Sequence, residues 1–305
     1  MKTQAFAEYT FVQASQTIIK KLMNKIGSSE TIRKTTFDFY SYKQNLVSHK
    51  TRIDIQFLEW FIGFVEGDGS FIVSNTRLFF IINQKEEKIL HYIRTNLGFG
   101  KVSTYNTYSR FIVADKNNVD RLIYLFNGNL ILEKTNSRFL SWLYARNAYS
   151  TDKIQHVMRG KQSTDFQDNA WLSGFIDGEG WFNVVRTLDP RYTLGYRIRL
   201  RFILDQKNEP CILKHIQGFL GSGVISQRQS VDGMLRFTST SISSHEKLIQ
   251  YLTRHPLRTF KKVPFLRFTS LLRYIKNRPN LPWQGKVLKR VENLIKNIEQ
   301  IDPYP

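Results

Sequence analysis

Short apolar segments recur in the same order twice along this chain. In the first series the predicted elements are a helix at 60–68, strands at 71–77 and 78–84, a helix at 85–96, strands at 101–105 and 110–113, and helices at 118–126 and 136–147. Strands are predicted where β-branched and aromatic residues form short runs, and helices where apolar residues recur three and four positions apart. Each series therefore predicts a helix, two strands, a helix, two strands and two helices.

The second series repeats this order further down the chain. Its predicted elements are strands at 182–186 and 196–204, a helix at 209–220, strands at 224–228 and 234–239, helices at 244–253 and 264–276, and a last helix at 287–301 whose apolar stripe is expected to pack against the second half. Gly63 and Gly174 are 111 residues apart, whereas Gly98 and Gly221 are 123 apart. We assign the difference to a longer loop around residues 187–195. Internal repetition of this kind predicts two half-domains.

Each series opens on a segment with two glycines four residues apart. Gly63 and Gly67 lie in the first copy, and Gly174 and Gly178 lie in the second. A helix places such a pair on one face, where each glycine costs about 1 kcal/mol relative to alanine. Two glycines on one face indicate the close approach of another backbone. The expected partner of each helix is the other copy.

An acidic residue closes each of these helices. Asp68 and Glu179 are the two acids, and each precedes a glycine suited to a helix C-cap. A carboxylate at this position faces the negative end of the helix dipole and needs a nearby cation. Two helices packed side by side would bring the two carboxylates together and form a divalent-metal site. The alternative is two ordinary buried helices with solvated acids, but it leaves the matched register of acids and glycines unexplained.

The composition indicates a folded protein with an anionic partner. The chain has 305 residues, 41% of them hydrophobic, and its 45 Lys and Arg against 25 Asp and Glu give a formal charge of +20. A surplus of this size is typical of proteins that bind a polyanion or an acidic membrane surface. No apolar run approaches the roughly 18 residues of a spanning helix, so membrane insertion is not expected. The single cysteine, Cys211, excludes a disulfide framework and is predicted to pack in the core.

One predicted strand alternates arginine with apolar residues. Arg197, Arg199 and Arg201 would lie on one face, while the other face is buried. Arginine binds phosphate and also grips guanine bidentately in the major groove. The alternative is a solvated sheet face. Further outward positions on neighbouring strands are predicted at Lys101, Ser103, Tyr105, Asn183, Ser226, Arg228, Arg236 and Thr238.

Residues 61–69 and 172–180 closely resemble the signature motif of the LAGLIDADG homing endonucleases, in the single-chain form with two motifs. The resemblance extends over roughly residues 54–280. It implies an α+β fold of two pseudo-symmetric αββαββα half-domains, joined through paired motif helices, each with a curved antiparallel sheet that binds DNA. The expected protein is a monomer with internal pseudo-twofold symmetry. The expected divisions are 1–53 as a basic extension, 54–147 and 169–279 as half-domains, 148–168 as linker, and 280–305 as C-terminal helix and tail.

The resemblance also implies roles for individual residues. Asp68 and Glu179 match the acids that bind divalent metal, here Mg²⁺, while Glu66 and Asp177 match a position that is usually structural. The expected water-positioning glutamines are Gln84 and Gln206, and the lysines expected near the metal are Lys134 and Lys261, with Lys262 as an alternative to Lys261. The residues expected to bind DNA are Lys101, Ser103, Asn183, Arg197, Arg199, Arg201, Arg228 and Arg236.

The implied activity is that of a site-specific, intron-encoded homing endonuclease. It would hydrolyse one phosphodiester bond in each strand of double-stranded DNA, leave short 3′ overhangs and promote intron homing. The alternative is an RNA maturase that binds its own group I intron RNA and assists its splicing, with or without retained nuclease activity. A third, weaker alternative is a DNA-binding regulator. Two intact acids favour the nuclease, because neither alternative requires them.

The first 53 residues support three interpretations. Residues 1–50 contain eight Lys or Arg and three acids, with frequent Ser and Thr. This composition fits an organelle transit peptide, a basic arm that touches nucleic acid, or the remnant of a fused reading frame. The family resemblance implies an organellar location, in a mitochondrion or a chloroplast. The target sequence is not predicted.

Overall fold

The first half of the chain follows the predicted order of a helix, two strands, a helix, two strands and two helices. The computed structural model describes residues 36–157, 165–192, 195–228, 231–277 and 283–299. After a short helix α1 (Tyr40–Gln44), the elements are α2 (Ile55–Asp68), β1 (Gly69–Ser74), β2 (Arg77–Gln84), α3 (Glu87–Leu97), β3 (Lys101–Thr104), β4 (Ser109–Val113), α4 (Lys116–Phe126) and α5 (Glu133–Ala148).

The second half repeats this order. Its elements are α6 (Trp171–Glu179), β5 (Gly180–Leu188), β6 (Tyr196–Lys207), α7 (Pro210–Leu220), β7 (Val224–Gln227), β8 (Met234–Ser239), α8 (Ile242–Arg254), α9 (Lys262–Asn277) and α10 (Gly285–Glu299). Each half contains one antiparallel four-stranded sheet, with the order β1-β2-β4-β3 or β5-β6-β8-β7. The predicted α+β fold with two repeated halves is confirmed.

Local sequence signals explain where several helices begin and end. The side chains of Asp54, Asp115 and Ser241 each accept a hydrogen bond from a backbone N–H in the first turn of α2, α4 and α8. Helices α3 and α7 end at Gly98 and Gly221, which adopt the left-handed conformation with φ of 83° and 85°. Glycine is favoured there because a Cβ atom is strained at positive φ.

Helices α2 and α6 pack against each other along their glycines. A Cβ atom on Gly63 would lie 2.0 Å from the carbonyl oxygen of Trp171, and one on Gly174 would lie 1.8 Å from that of Trp60. These separations are far inside van der Waals contact, so only glycine allows the two backbones to approach this closely. The partner of each motif helix is the other copy, as the glycine spacing predicts.

The glycines that follow the motif helices take the predicted C-cap position, but not the left-handed conformation common there. Gly69 has φ of −81° and Gly180 has φ of −79°, which is ordinary extended backbone. A Cβ atom at Gly69 would instead lie 2.5 Å from Cγ1 of Val65, and one at Gly180 would lie 2.6 Å from Cγ2 of Ile176. These glycines therefore allow the chain to turn sharply from helix into strand.

The extra residues of the second half lie mostly in the β5–β6 hairpin. Sixteen residues run from Gly69 to Gln84, and 27 run from Gly180 to Gln206. The prediction of a longer loop over 187–195 was partly wrong, because Thr187 and Leu188 still belong to β5 and pair with β6. Much of the insertion therefore lengthens two strands and extends the outward face of the second sheet.

Part of the predicted N-terminal extension belongs to the core of the first half. Phe37, Phe39, Tyr42 and Val47 are buried. The side chain of Asn129 accepts a hydrogen bond from the backbone N–H of Asp38 and donates one to its carbonyl oxygen. The proposed boundary at residue 53 therefore does not coincide with a break in the packing. Residues 1–35, on which the three interpretations of the extension depend, lie outside the described residues, as do residues 158–164 of the linker.

Two further predictions concern Cys211 and the last helix. Cys211 is exposed, so the prediction of core packing was wrong. It precedes the buried stripe of α7, which begins at Ile212. The prediction for α10 is confirmed, since Val291 and Ile295 are buried against the second half. Among the described residues, no helix is long and apolar enough to cross a membrane.

Candidate active site and nucleic-acid interface

The two acids lie at the ends of the paired helices. Oδ2 of Asp68 is 3.4 Å from the position that a Cβ atom would take on Gly178, and Cγ of Glu179 is 3.2 Å from that position on Gly67. Each acid therefore packs against the glycine that precedes the other acid. A Cβ atom on Gly67 would also lie 3.2 Å from Cα of Gly178, so the two backbones approach each other at Gly67 and Gly178 as well as at Gly63 and Gly174.

A glutamine from each sheet binds one of these acids. Nε2 of Gln84 donates a hydrogen bond to Oδ2 of Asp68 at 2.6 Å. The side chain of Gln206 makes the corresponding hydrogen bond to Glu179. Gln84 ends β2 and Gln206 lies next to the end of β6, so each sheet delivers its glutamine to the end of a motif helix.

Burial makes both acids less acidic. It raises the pKa of Asp68 to about 6, opposed by the positive charge of Lys261 and the hydrogen bond from Gln84. It raises the pKa of Glu179 to about 7, and the negative charge of Asp68 adds to this effect. Two buried carboxylates that repel each other favour the binding of a cation between them.

Lys261 supplies a positive charge at this position. Its Nζ atom donates hydrogen bonds to the carbonyl oxygens of Gly178 at 2.7 Å and Ile176 at 3.3 Å, at the C-terminal end of α6. Burial lowers the pKa of Lys261, while the charges of Asp68, Asp177 and Glu179 raise it. This ammonium group is the cation that a carboxylate at a helix C-terminus requires. Lys262 is exposed, so the structure brings Lys261 and not Lys262 to the acids.

Lys134 occupies a less enclosed position than Lys261. The residue is exposed, and its charge lowers the pKa of Glu179 only as the weakest of several effects. Its backbone N–H donates to Oε1 of Glu209 at 2.8 Å. The two predicted lysines are therefore equivalent in sequence and different in environment.

The acids at the sixth motif position hold the two halves together. Glu66 accepts a hydrogen bond from Nε1 of Trp171 at 2.5 Å, and Asp177 accepts one from Nε1 of Trp60 at 2.8 Å. Each acid thus binds the tryptophan that immediately precedes the opposite motif. This pairing was not predicted from the sequence. The available signal was that a Trp precedes each motif and an acid follows it six positions later.

The same two acids fix the segments that carry the lysines. Glu66 accepts hydrogen bonds from the backbone N–H groups of Ile131 and Leu132, both at 2.6 Å. Asp177 accepts one from the backbone N–H of Arg258 at 2.7 Å and one from that of Thr259. Residues 131 and 132 therefore match 258 and 259, which supports the gap-free alignment that pairs Lys134 with Lys261.

Two acids that were not predicted from the sequence form hydrogen bonds between the halves. Glu86 of the first half accepts a hydrogen bond from the backbone N–H of Phe260 at 2.7 Å, next to Lys261. Glu209 of the second half binds the backbone of Lys134 in the same way. Each lysine segment is therefore fixed by the opposite half. The sequence offered little signal, because the two acids stand at different distances from their glutamines.

The arginine strand has the predicted alternation. Arg197 and Arg199 are exposed and Arg201 is half-buried, while Leu200 and Phe202 on the opposite face are buried. The outward face of the second sheet therefore carries three guanidinium groups along β6. On the edge strand β3 of the first sheet, the predicted residues Lys101 and Ser103 are exposed and half-buried respectively.

Hydrogen-bond acceptors in the sheet hold several of these arginines. Nε and Nη2 of Arg201 donate to Oδ1 of Asn183 at 3.1 and 2.8 Å. Arg236 binds both carboxylate oxygens of Asp205 at 2.7 Å, and Nη1 of Arg228 donates to Oδ2 of Asp205 at 3.0 Å. The arginines were predicted from the sequence. Asp205 was not, because only the fold decides which residues of neighbouring strands lie opposite each other.

The carboxylate oxygens of Asp68 and Glu179 fit a metal ion whose remaining ligands come from water and from a substrate. No group of three or more His, Cys, Asp or Glu side chains in the described residues forms a metal site. Mg²⁺ commonly binds through one or two carboxylates, with water and phosphate oxygens completing its coordination. Asp68 and Glu179 meet that requirement, and the Lys261 ammonium group already lies beside them as a cation.

Comparison with known proteins identifies similar chains. A family model described as "LAGLIDADG endonuclease" matches residues 61–145 and 172–272. A protein of Neurospora crassa named "Probable intron-encoded endonuclease 4" is 36% identical over 227 residues, covering 71% of this chain and 40% of that protein. This chain thus spans less than half of that relative. The uncharacterised cox1 intron-2 protein of Schizosaccharomyces pombe is 27% identical over 283 residues, covering 91% of this chain and 84% of that one.

Solved structures of the same architecture have been determined with DNA. Meganuclease I-SmaMI bound to uncleavable DNA is similar with a TM-score of 0.63 and 18% identity, covering 79% of this chain and 98% of that one. A second structure of that protein was determined with an uncleaved DNA target in the presence of calcium ions. At this level of identity the similarity establishes the fold.

Proposed function

We propose that this chain, which belongs to the LAGLIDADG endonuclease family, is a site-specific homing endonuclease that hydrolyses one phosphodiester bond in each strand of double-stranded DNA. The observation that carries the proposal is the pair of buried acids at the ends of the paired helices. Each acid is bound by a glutamine from one sheet, and Lys261 lies beside both. This arrangement supports cation-assisted hydrolysis where the ends of the paired helices meet.

DNA is the substrate that the sheets and the net charge support. Three arginines line the outward face of β6, and the chain carries a formal charge of +20. Phosphate contacts by such residues supply most of the salt-dependent affinity, and contacts to base edges supply the sequence preference. The structures of I-SmaMI with DNA are consistent with this substrate.

Asp68 and Glu179 would hold Mg²⁺ together with oxygens of the substrate. When bound, the ion lowers the pKa of a water ligand and neutralises charge on the phosphate. Gln84 and Gln206 fix the carboxylates in place and orient water. Lys134 and Lys261 offset the negative charge that develops on the phosphate oxygens. Glu66 and Asp177 have a different task, because they bind tryptophans and backbone N–H groups of the opposite helix and lysine segment.

The biological role proposed is intron homing. The similar proteins of N. crassa and S. pombe are named after introns, which supports an intron-encoded origin. The proposed products carry short 3′ overhangs, and the proposed location is an organelle, a mitochondrion or a chloroplast. A maturase function, with the host intron RNA as partner, is the rival outcome of the test below.

The deciding experiment uses the full chain and the intron-less junction of its own host gene. Double-strand cleavage of that junction with Mg²⁺, and none with EDTA, is the expected result. The control is a duplex of the same length with the junction sequence scrambled. Splicing of the intron RNA stimulated by a chain that leaves the DNA intact under all conditions would overturn the proposal in favour of the maturase.

A further inference from the structure

The outward faces of the two sheets differ at one pair of equivalent positions. Phe79 stands five residues before Gln84, and Arg201 stands five residues before Gln206. The strand register places Ile72 opposite Phe79 in the first sheet and Asn183 opposite Arg201 in the second. The same row thus carries two apolar side chains in one half and a hydrogen-bonded polar pair in the other.

The row two outward positions nearer to the acids is alike in the two halves. Arg110 donates to Oδ1 of Asn83 at 2.9 Å in the first sheet, and Arg236 binds Asp205 in the second. Each half therefore presents one arginine held by an acceptor in this row. Two outward positions further from the acids, the equivalent rows differ in chemistry, with Ile72–Phe79 in one half and Asn183–Arg201 in the other.

The pair in the second sheet is suited to guanine. A guanidinium group has five N–H donors, and Arg201 uses those of Nε and Nη2 on Asn183, which leaves donors on Nη1 and Nη2. Arginine binds the O6 and N7 atoms of guanine through two such donors in the major groove. Asn183 also restricts the side chain before binding, which reduces the entropy lost on contact.

The pair in the first sheet is suited to thymine. Ile72 is 38% exposed, and the guanidinium group of Arg77 lies 5.2 Å from the centre of the half-buried Phe79 ring. Neither Ile72 nor Phe79 offers a hydrogen-bond donor or acceptor from its side chain. Apolar side chains in the major groove discriminate bases through the C5-methyl group of thymine.

We propose that this row reads a different base pair in each half-site. Asn183 and Arg201 select a G·C pair in one half-site, and Ile72 and Phe79 select an A·T pair at the equivalent position of the other. Asn183 acts as a positioning residue for Arg201. The inference rests on the proposed DNA-binding function and goes beyond it by specifying base identity.

The test is a selection of duplexes from a randomised library by the full chain carrying Asp68→Asn and Glu179→Gln, in EDTA, so that bound DNA is not cut. The expected site has G·C in one half and A·T at the symmetry-related position. Adding Arg201→Lys or Asn183→Ala should reduce discrimination at that one G·C pair by about tenfold or more. Arg201→Lys keeps the charge, so overall affinity should change less than discrimination.

Two further variants separate this row from its surroundings. Arg199→Ala is the matched control, because Arg199 lies on the same face and is not held by an acceptor among the described residues. It should weaken binding without changing the preference at the G·C pair. Ile72→Asn combined with Phe79→Arg should convert the preferred A·T pair of the first half-site to G·C.

The outcomes distinguish a failure of this base assignment from a failure of the proposed DNA-binding function. If a specific site is selected but Asn183→Ala and Arg201→Lys alter different base pairs or none, the inference is wrong and DNA binding stands. The same holds if both equivalent positions prefer the same base. If no duplex sequence is enriched by a chain with an unchanged melting transition, the proposed function itself fails.

Discussion

At the residue scale, the site depends on buried charges that are balanced locally. Burial raises the pKa of Asp68 and of Glu179, and the Lys261 ammonium group donates a hydrogen bond to the carbonyl oxygen of Gly178. Removing one charge from such a group leaves the others uncompensated. Substitutions here should therefore affect catalysis more than DNA recognition, which depends on the sheets.

Neutralising either acid is expected to abolish cleavage. Asp68→Asn and Glu179→Gln keep the shape of the side chain and remove the charge that would bind Mg²⁺. Binding to the target should remain within about a few fold of wild type, because most phosphate contacts lie elsewhere. Cleavage and gel-shift assays on one DNA fragment measure both quantities. The control is Glu292→Gln, an exposed acid on α10; cutting by either site variant at the wild-type rate would remove the metal assignment.

Adjacent lysines give a sharp comparison. Lys261→Met should lower the single-turnover cleavage rate by about 100-fold or more, the usual effect of losing a group that stabilises developing charge. Lys262→Met should change it by less than about threefold, because Lys262 is exposed and Lys261 holds the contact to Gly178. Similar rates for the two variants would show that the charge beside the acids is not used in the reaction.

At the element scale, the paired helices α2 and α6 join the halves. Their backbones meet at Gly63 and Gly174, and tryptophan–carboxylate hydrogen bonds cross in both directions. The carboxylates of Glu86 and Glu209 form a second set of links between the halves. The position of each acid relative to the other is thus set by contacts between elements that are 75 or more residues apart in sequence.

Gly63→Ala should destabilise the protein by about 3 kcal/mol or more, because a packed core has no space for the added methyl group. The added Cβ would lie 2.0 Å from a backbone oxygen that a side-chain rotation does not relieve. Gly218→Ala is the matched control in helix α7, where nothing lies within 4 Å of the added atom. It should be neutral or stabilise the protein by about 0.5–1 kcal/mol. Thermal unfolding followed by circular dichroism measures both, and equal melting temperatures would contradict the close packing.

At the scale of the whole molecule, the proposed recognition of DNA depends on charge and pseudo-symmetry together. The two sheets share one topology, and their outward faces differ in charge and in length, because the second hairpin is 11 residues longer between its glycine and its glutamine. Two similar frames with different side chains suit a target whose halves differ in sequence.

Arg199→Ala is expected to weaken binding to the target by about 1–3 kcal/mol. Because Arg199 is exposed on the basic face, loss of a phosphate contact should also reduce the slope of log affinity against log salt concentration by about one. Fluorescence anisotropy over a salt series measures both effects. Arg290→Ala, an exposed arginine on α10, is the control and should leave the slope unchanged. If Arg199→Ala also leaves it unchanged, the arginine strand does not meet the DNA backbone.

The family resemblance supplied Gln84 and Gln206. The sequence alone was sufficient for the repeated fold, the pairing of the motif helices and the positions of Asp68 and Glu179. These follow from local patterns, because glycine spacing, strand alternation and the place of an acid at a helix end are set by residues close together in the chain. Cys211 was predicted wrongly because one exposed position beside an apolar stripe resembles a buried one.

The tertiary structure decided everything that depends on which distant residues meet. The choice of Lys261 over Lys262, the hydrogen bonds from Trp60 and Trp171 to acids of the opposite helix, and the binding of Arg201 by Asn183 all join separate elements. Strand register and helix packing create these contacts. A sequence specifies them only through the fold as a whole, since no local periodicity records the partner of a side chain.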